Sequence, residues 1–369
     1  MSFVESNVRA PSRGVPRESD TRMALSAPPP RFTPFQRVKL CYTLIHAADA
    51  VGIHDLADGE YLPTDTTLEE GIERQENYLL DEVGCNRPGF RLLELGCGYG
   101  SLLKLAKKRG AVAVGVNVSS EQVKYCNDQG SQAYCCTYRD LLYANEWHGN
   151  FDGVIANGSL EHWVQPEDVQ SGRMNDIYRE SFEIAHKALD PRVPDARYVT
   201  TAIHAKCKIN ADDLLAPWWR FPWGSDRRHL SLLHHWMGGY YPIDGQLEAC
   251  ARPYFSLEKE VDGTLGYKIA NDYRKSRMLR GLYTNPKLVW RIVRALARHP
   301  IATSTTLESF FIESSWDWQF LGEDLPMKLL RQTWKRKSVG NPTPPRQARV
   351  HFNGSNPANV DIDTLIGTA

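Results

Sequence analysis

Short apolar runs alternate with longer amphipathic stretches through the middle of the chain. Residues 91–95, Arg91-Leu92-Leu93-Glu94-Leu95, form an apolar run that ends on a glycine-rich turn, and 101–109 then carries helical periodicity. Residues 112–118 predict a second buried strand, with Ser119 or Ser120 as N-cap of the following helix. Residues 132–137, 151–156 and 197–203 predict strands three to five, the last after a long helix over 178–189. Residues 255–261 and 307–313 are candidates for two later strands, with helix across about 264–300 between them. Repeated strand–helix units imply an α/β protein with a parallel, doubly wound sheet, which binds ligands at the carboxyl ends of its strands.

The two ends of the chain lack this pattern. Residues 1–31 are rich in Pro, Ser and Arg and close on Ala27-Pro28-Pro29-Pro30-Arg31; residues 338–369 contain Asn341-Pro342-Thr343-Pro344-Pro345 and then mostly Gly, Asn and Asp. Both are expected to be disordered, since they offer too little apolar area to offset ordering entropy. The ordered domain then covers 32–337. Lys plus Arg number 44 and Asp plus Glu number 44, which argues against a generally basic nucleic-acid binder. No apolar run approaches the roughly 18 residues of a spanning helix. The first 30 residues hold no apolar core of a secretory signal. The cysteines at 41, 85, 97, 126, 135, 136, 207 and 250 form no C-x-x-C pair, so neither a metal site nor a disulfide framework is expected. Free thiols fit a reducing, cytoplasmic setting.

Candidate chemistry begins at Glu94-Leu95-Gly96-Cys97-Gly98-Tyr99-Gly100, between the first strand and a helix. Glycines allow a tight turn and close approach of a ligand to backbone, and the helix start offers free N–H groups. The spacing is G-x-G-x-G with an acid two residues ahead, not the dinucleotide G-x-G-x-x-G. Glu94 would repel a pyrophosphate and attract a ligand bearing an ammonium and a sulfonium.

This stretch resembles motif I of class I S-adenosylmethionine-dependent methyltransferases. More narrowly, Val114-Gly115-Val116-Asn117-Val118-Ser119-Ser120-Glu121-Gln122 resembles the second-strand signature of the cyclopropane-fatty-acid synthase family, which includes the mycolic acid cyclopropane synthases. Tyr138-Arg139-Asp140-Leu141, Leu160-Glu161-His162, Ile203-His204, Gly238-Gly239-Tyr240-Tyr241-Pro242, Asp272-Tyr273 and Trp318-Gln319-Phe320 follow in family order. The resemblance implies a Rossmann-like, mostly parallel seven-stranded sheet. A helical, aromatic insertion follows strand five, and 205–240 and 264–305 lie on the substrate side.

It also implies roles. Glu94, Gly96, Gly98 and Gly100 would hold the methionine part of S-adenosylmethionine; Asn117, Ser119 and Gln122 its ribose side; Tyr138 and Arg139 its adenine edge. Glu161, His204 and Tyr273 would position a bicarbonate ion as the base that removes a proton after an alkene takes up the methyl, with His162 beside them. The activity implied is methyl or methylene transfer to an unsaturated, largely apolar acyl or lipid-like substrate. A plant coclaurine-type N-methyltransferase, acting on a soluble amine, shares the frame and is the alternative. No metal is implied. Two departures from the family touch the pocket: Ala57-Asp58-Gly59-Glu60-Tyr61 replaces a Tyr-Ser-Cys-Ala-Tyr segment, and Lys206 stands where an apolar residue is usual.

Two further segments bear on the substrate. Pro217-Trp218-Trp219-Arg220-Phe221-Pro222-Trp223 could be an apolar substrate wall or a buried aromatic cluster. Lys287, Arg291, Arg294 and Arg298 recur at helical spacing among Leu288, Val289, Trp290, Ile292, Val293 and Leu296. That helix could meet an anionic bilayer, making the protein peripheral to a membrane, or pack on the core with a solvated basic face.

Overall fold

In the computed structural model, residues 34–54, 56–321 and 325–337 are described. The terminal segments 1–31 and 338–369, expected to be disordered, lie outside the described residues.

The first half of the chain alternates as its pattern predicts. Helix α1 (Pro34–Ile45) and a 3-10 turn (His46–Val51) lead to α2 (Leu68–Glu82), whose Thr67 caps it through a reciprocal box with Glu70. The sheet then begins: β1 (Arg91–Leu95), α3 (Ser101–Lys108), β2 (Val112–Asn117), α4 (Ser120–Asp128), β3 (Gln132–Cys135), α5 (Tyr138–Tyr143) and β4 (Gly153–Asn157). Ser119 caps α4, accepting from the Gln122 amide at 3.4 Å. Helices α6 (Pro166–Gln170) and α7 (Met174–Ala188) precede β5 (Arg197–Ala205). Next come α8 (Ala211–Leu215), α9 (Asp226–Met237), α10 (Gln246–Ala251) and β6 (Phe255–Asp262). After them α11 (Thr264–Thr284), α12 (Pro286–Arg298), α13 (Pro300–Leu307) and α14 (Ser315–Trp318) lead to β7 (Met327–Arg336).

The strands form one seven-stranded sheet in the order β3-β2-β1-β4-β5-β7-β6. The first five are parallel; β7 enters antiparallel to both β5 and β6. Strand order reverses between β1 and β4, so the crevice at their carboxyl ends is where a doubly wound sheet binds its ligand. Leu92, Leu93, Val154, Ile155 and Val199 are fully buried, as continuous apolar strands covered on both faces must be.

One expected strand is corrected. Residues 307–312 are helical, ending α13 and continuing as a π-helical turn over Glu308–Ile312, with Glu313 as its C-cap. Its Phe310 ring packs against Trp236 and Trp316, and a short apolar run packed that way has no periodicity to separate helix from strand. The seventh strand is β7. It escapes the pattern because a strand of the sheet interior carries Arg331 and Gln332, which are buried on partners distant in sequence.

Candidate active site

Gly96, Gly98 and Gly100 all sit at positive φ, of 87°, 50° and 73°. At Gly96 a Cβ would lie 2.6 Å from the Cβ of Ser159, whose hydroxyl donates to the Leu95 carbonyl at 2.8 Å. The loop is therefore clamped against the end of β4, and only glycine fits. Beside it opens a cavity. Glu94, Gly96, Gly98 and Gln122 line it from the β1–β2 half; Asn157, Gly158, Glu161, His162 and Thr201 line it from the β4–β5 half.

The other residues expected around a cofactor do not line this cavity but brace it. Gly100 is the N-cap of α3, in a left-handed conformation. Asn117 donates to the Gln122 side-chain oxygen at 2.7 Å and so aims that side chain. Ser119 holds the turn between them. Tyr138 stacks on Trp163 with ring centroids 4.1 Å apart, and Arg139 faces Glu180 at 3.5 Å.

Glu161 occupies the middle residue of a 3-10 turn, Leu160–His162, just past β4. Gly238-Gly239-Tyr240 clasps this turn: the Tyr240 amide donates to the Glu161 carbonyl at 3.1 Å, and a Cβ on Gly239 would come within 2.3 Å of that oxygen. The carboxyl is buried and its Oε2 has no hydrogen-bond partner. Burial raises it to about 7, against the pull of the Glu161 and Ile203 amides, with the charge of Asp58 a minor addition. Burial pushes the neighbouring His162 imidazole down to about 4, so this ring is neutral at physiological pH.

His204 and Tyr273 are not brought to Glu161. Side chains alternate along a strand, so with Thr201 and Ile203 lining the cavity His204 points to the opposite face of the sheet. It is buried there, its Nδ1 3.0 Å from the Ala202 carbonyl. Tyr273 donates to the Asp65 carbonyl at 3.2 Å and stacks on Tyr61 at 5.5 Å, outside the cavity lining. The trio expected to hold bicarbonate is thus reduced to Glu161, with neither His204 nor Tyr273 beside it, and the set the resemblance implies for that group is not assembled.

Residues outside the expected cofactor and bicarbonate sets also line the cavity. Tyr42, Tyr99, Tyr241 and Tyr267 supply aromatic faces. Asp58, in the rebuilt 57–61 segment, is buried on the wall. Its carboxyl accepts from Arg331 Nε at 2.7 Å and from Gln75 at 2.7 Å, yet burial still holds it up to about 6. Tyr241 belongs to the Gly238-Gly239-Tyr240-Tyr241-Pro242 signature and Asp58 to the replaced 57–61 segment; Tyr42 and Tyr267 carry no signal in the sequence, since a tyrosine within a helix reads as packing.

A second chamber adjoins the first. It shares Ile45, Ile53 and Leu56 with the carboxyl-lined cavity. Leu44, Ala48, Trp236, Met278, Ile292, Phe310 and Trp316 make its walls almost wholly apolar. The tryptophan segment 217–223 takes no part. Trp219 and Trp223 are exposed, and Trp218 and Trp223 sandwich the Arg228 guanidinium at 4.6 and 5.0 Å, which anchors the loop.

Residues 93–179, which run from β1 into α7 and include the glycine loop and the Glu161 turn, match the methyltransferase domain family. A probable fatty acid methyltransferase of Mycobacterium tuberculosis is 30% identical over 106 residues, 27% of this chain and 23% of that protein. The cyclopropane mycolic acid synthase MmaA2 of the same organism is 27% identical over 130 residues, 34% of this chain and 42% of that protein. The solved structure of MmaA2 superposes with a TM-score of 0.60 and 16% identity, covering 82% of this chain and 98% of that one. The chain shares the fold of the cyclopropane synthase and carries a methyltransferase domain match over the glycine-loop region. The chain's sequence match spans less than half the length of either curated relative. The cap formed by α1, the 57–61 segment and α11 to α13 is where the cavity lining departs most from the expected residues.

Proposed function

We propose that the protein transfers a methyl group from S-adenosylmethionine to an alkene carbon of an unsaturated, largely apolar substrate. One observation carries this reading: a carboxyl-lined cavity at the glycine loop adjoins an almost wholly apolar chamber, the two sharing Ile45, Ile53 and Leu56 as lining.

The donor set suits the cofactor. Glu94 is buried at the cavity wall and attracts positive charge, the glycine loop leaves the backbone bare, and Gln122 is held in aim by Asn117. When bound, S-adenosylmethionine supplies a sulfonium-borne methyl that an alkene's electron pair can take up, leaving a carbocation on the substrate. The faces of Tyr42, Tyr241 and Tyr267 attract such a cation, and the carboxyls of Glu161 and Asp58 add to the negative potential. Glu161 accepts the proton that the cation loses: its Oε2 is unpartnered, and its pKa near 7 suits a base at neutral pH. Closing a ring or forming a new double bond both conform to that step. No bicarbonate enters it.

The test is mass spectrometry of unsaturated phospholipid and free fatty acid, dispersed in detergent, after incubation with methyl-labelled S-adenosylmethionine. A labelled product carrying one added carbon supports the reading. Labelling of amines alone would favour the N-methyltransferase alternative, and no heat on titrating S-adenosylhomocysteine would end the cofactor assignment.

A further inference from the structure

Helix α12 has two apolar faces. Leu288, Ile292 and Ala295 turn inward, the last two onto the wall of the apolar chamber. Val289, Val293 and Leu296 face solvent, joined by Trp290, which is 63% exposed. On a helical projection these four span a continuous arc, and Lys287, Arg294 and Arg298 lie together along one edge of it. A helix that merely packs on a core keeps a polar outer face; this one does not. Ile301, at the start of α13, is 60% exposed and extends the patch.

Arg291 does not belong to the basic edge. Its guanidinium turns inward, 3.0 Å from Asp49 and 3.1 Å from the His46 carbonyl. It fastens the helix to the His46–Val51 turn, which itself rests on the glycine loop through His46 and Tyr99, 2.7 Å apart. The exposed cations that remain face outward, and α12 contains no acidic residue.

We propose that the outer face of α12, with the start of α13, is a docking surface for an anionic lipid bilayer, and that the chamber beneath it takes its hydrocarbon substrate from that bilayer. The first half of this stands on the exposed patch alone; the second rests on the function proposed above. Charge complementarity selects the occupant. An apolar arc with a tryptophan, edged on one side by cations, matches acyl chains below a plane of anionic headgroups. The chamber wall is the inner face of the same helix, so a chain can enter without crossing water.

The test is co-sedimentation of the full chain with vesicles of phosphatidylcholine alone and with added phosphatidylglycerol. Wild type should bind the anionic vesicles more tightly, and salt should weaken that binding. Lys287→Gln, Arg294→Gln and Arg298→Gln combined should lower it about 100-fold, about 5-fold per cation. Trp290→Ser, Val293→Ser and Leu296→Ser combined should abolish binding to both vesicle types. Titration with S-adenosylhomocysteine and turnover of detergent-dispersed substrate should match wild type in both variants, since none of these residues lines either cavity. Their loss in wild type too would indict the proposed function and leave the docking result standing. Failure of wild type to bind anionic vesicles overturns the proposal. So does equal binding by the variants. So does a serine variant whose change is loss of a dimer in analytical ultracentrifugation, with vesicle binding intact.

Discussion

Glu161 was legible as a residue of interest, but what makes it chemically special is its environment. A glutamate after strand four has no raised pKa in the sequence; burial among Tyr241, Tyr267 and His162 supplies that. If it accepts the proton, turnover should rise with pH through about 7 and level off above, because only the ionised form is a base. Glu161→Gln should lower kcat by about two to four decades and remove that limb, with S-adenosylhomocysteine affinity unchanged by calorimetry. The same carboxyl sets a stability trend. Its folded pKa lies above the ordinary value of 4.5, so the fold binds this proton more tightly than the unfolded chain does, and that stabilisation is lost as pH rises from about 4.5 through about 7. The Gln variant should therefore melt higher than wild type at pH 8, with the difference shrinking at pH 5. Gly96→Ala tests the loop: a positive φ and a 2.6 Å approach to Ser159 both oppose a methyl group. The variant should lose stability by at least about 1 kcal/mol in denaturant titration and should bind S-adenosylhomocysteine at least tenfold more weakly.

At the scale of elements, the β1 to β5 series follows its hydrophobic pattern, whereas β7 and the cap do not. β7 is an antiparallel strand inserted between β5 and β6, and Arg331 on it reaches the 57–61 segment, bonding Asp58 and the Gly59 carbonyl at 2.9 Å. This buried pair ties the cap to the sheet. Arg331→Met should destabilise by about 3–5 kcal/mol at pH 8, because it leaves a buried carboxylate without its counter-charge. At pH 5 the cost should fall, since Asp58, already held up to about 6 with the arginine present, is then protonated. Urea titrations at the two pH values check this; equal costs would show that packing of the arginine stem dominates. Strand parity is the other lesson at this scale. The Ile203-His204 pair was recognisable, but only the register of β5 against β4, Thr201 opposite Asn157, decides which of the two meets the cavity.

For the whole molecule, the decisive feature is that two cavities of unlike character meet under one cap. The polar one is built by the sheet ends, the apolar one by helices drawn from residues 34–56 and 230–320. Ala295→Trp would place a large ring in the apolar chamber from the inner face of α12. It should raise KM for long-chain substrates about tenfold or more, the scale of 1–3 kcal/mol of overpacking, while S-adenosylhomocysteine affinity stays as in wild type. Steady-state kinetics with long and short unsaturated acyl substrates check it, and equal KM changes for both would point to a disturbed cap.

The sequence by itself determined the doubly wound sheet, the place of the glycine loop, and the turn bearing Glu161 and His162. Each of these rests on local rules: period-two and period-3.6 patterning, glycine at forced positive φ, and the topological switch point. Tertiary structure alone decided the rest. Which residues face the cavity depends on strand parity and on helices that arrive from far along the chain, so Tyr42, Asp58 and Tyr267 entered and His204 and Tyr273 left. The apolar chamber has no motif, because it is the space left between six helical segments and two turns. The outer face of α12 could be told from its inner face only once Leu288, Ile292 and Ala295 were seen to be the ones packed, since burial, unlike periodicity, is a property of the assembled fold.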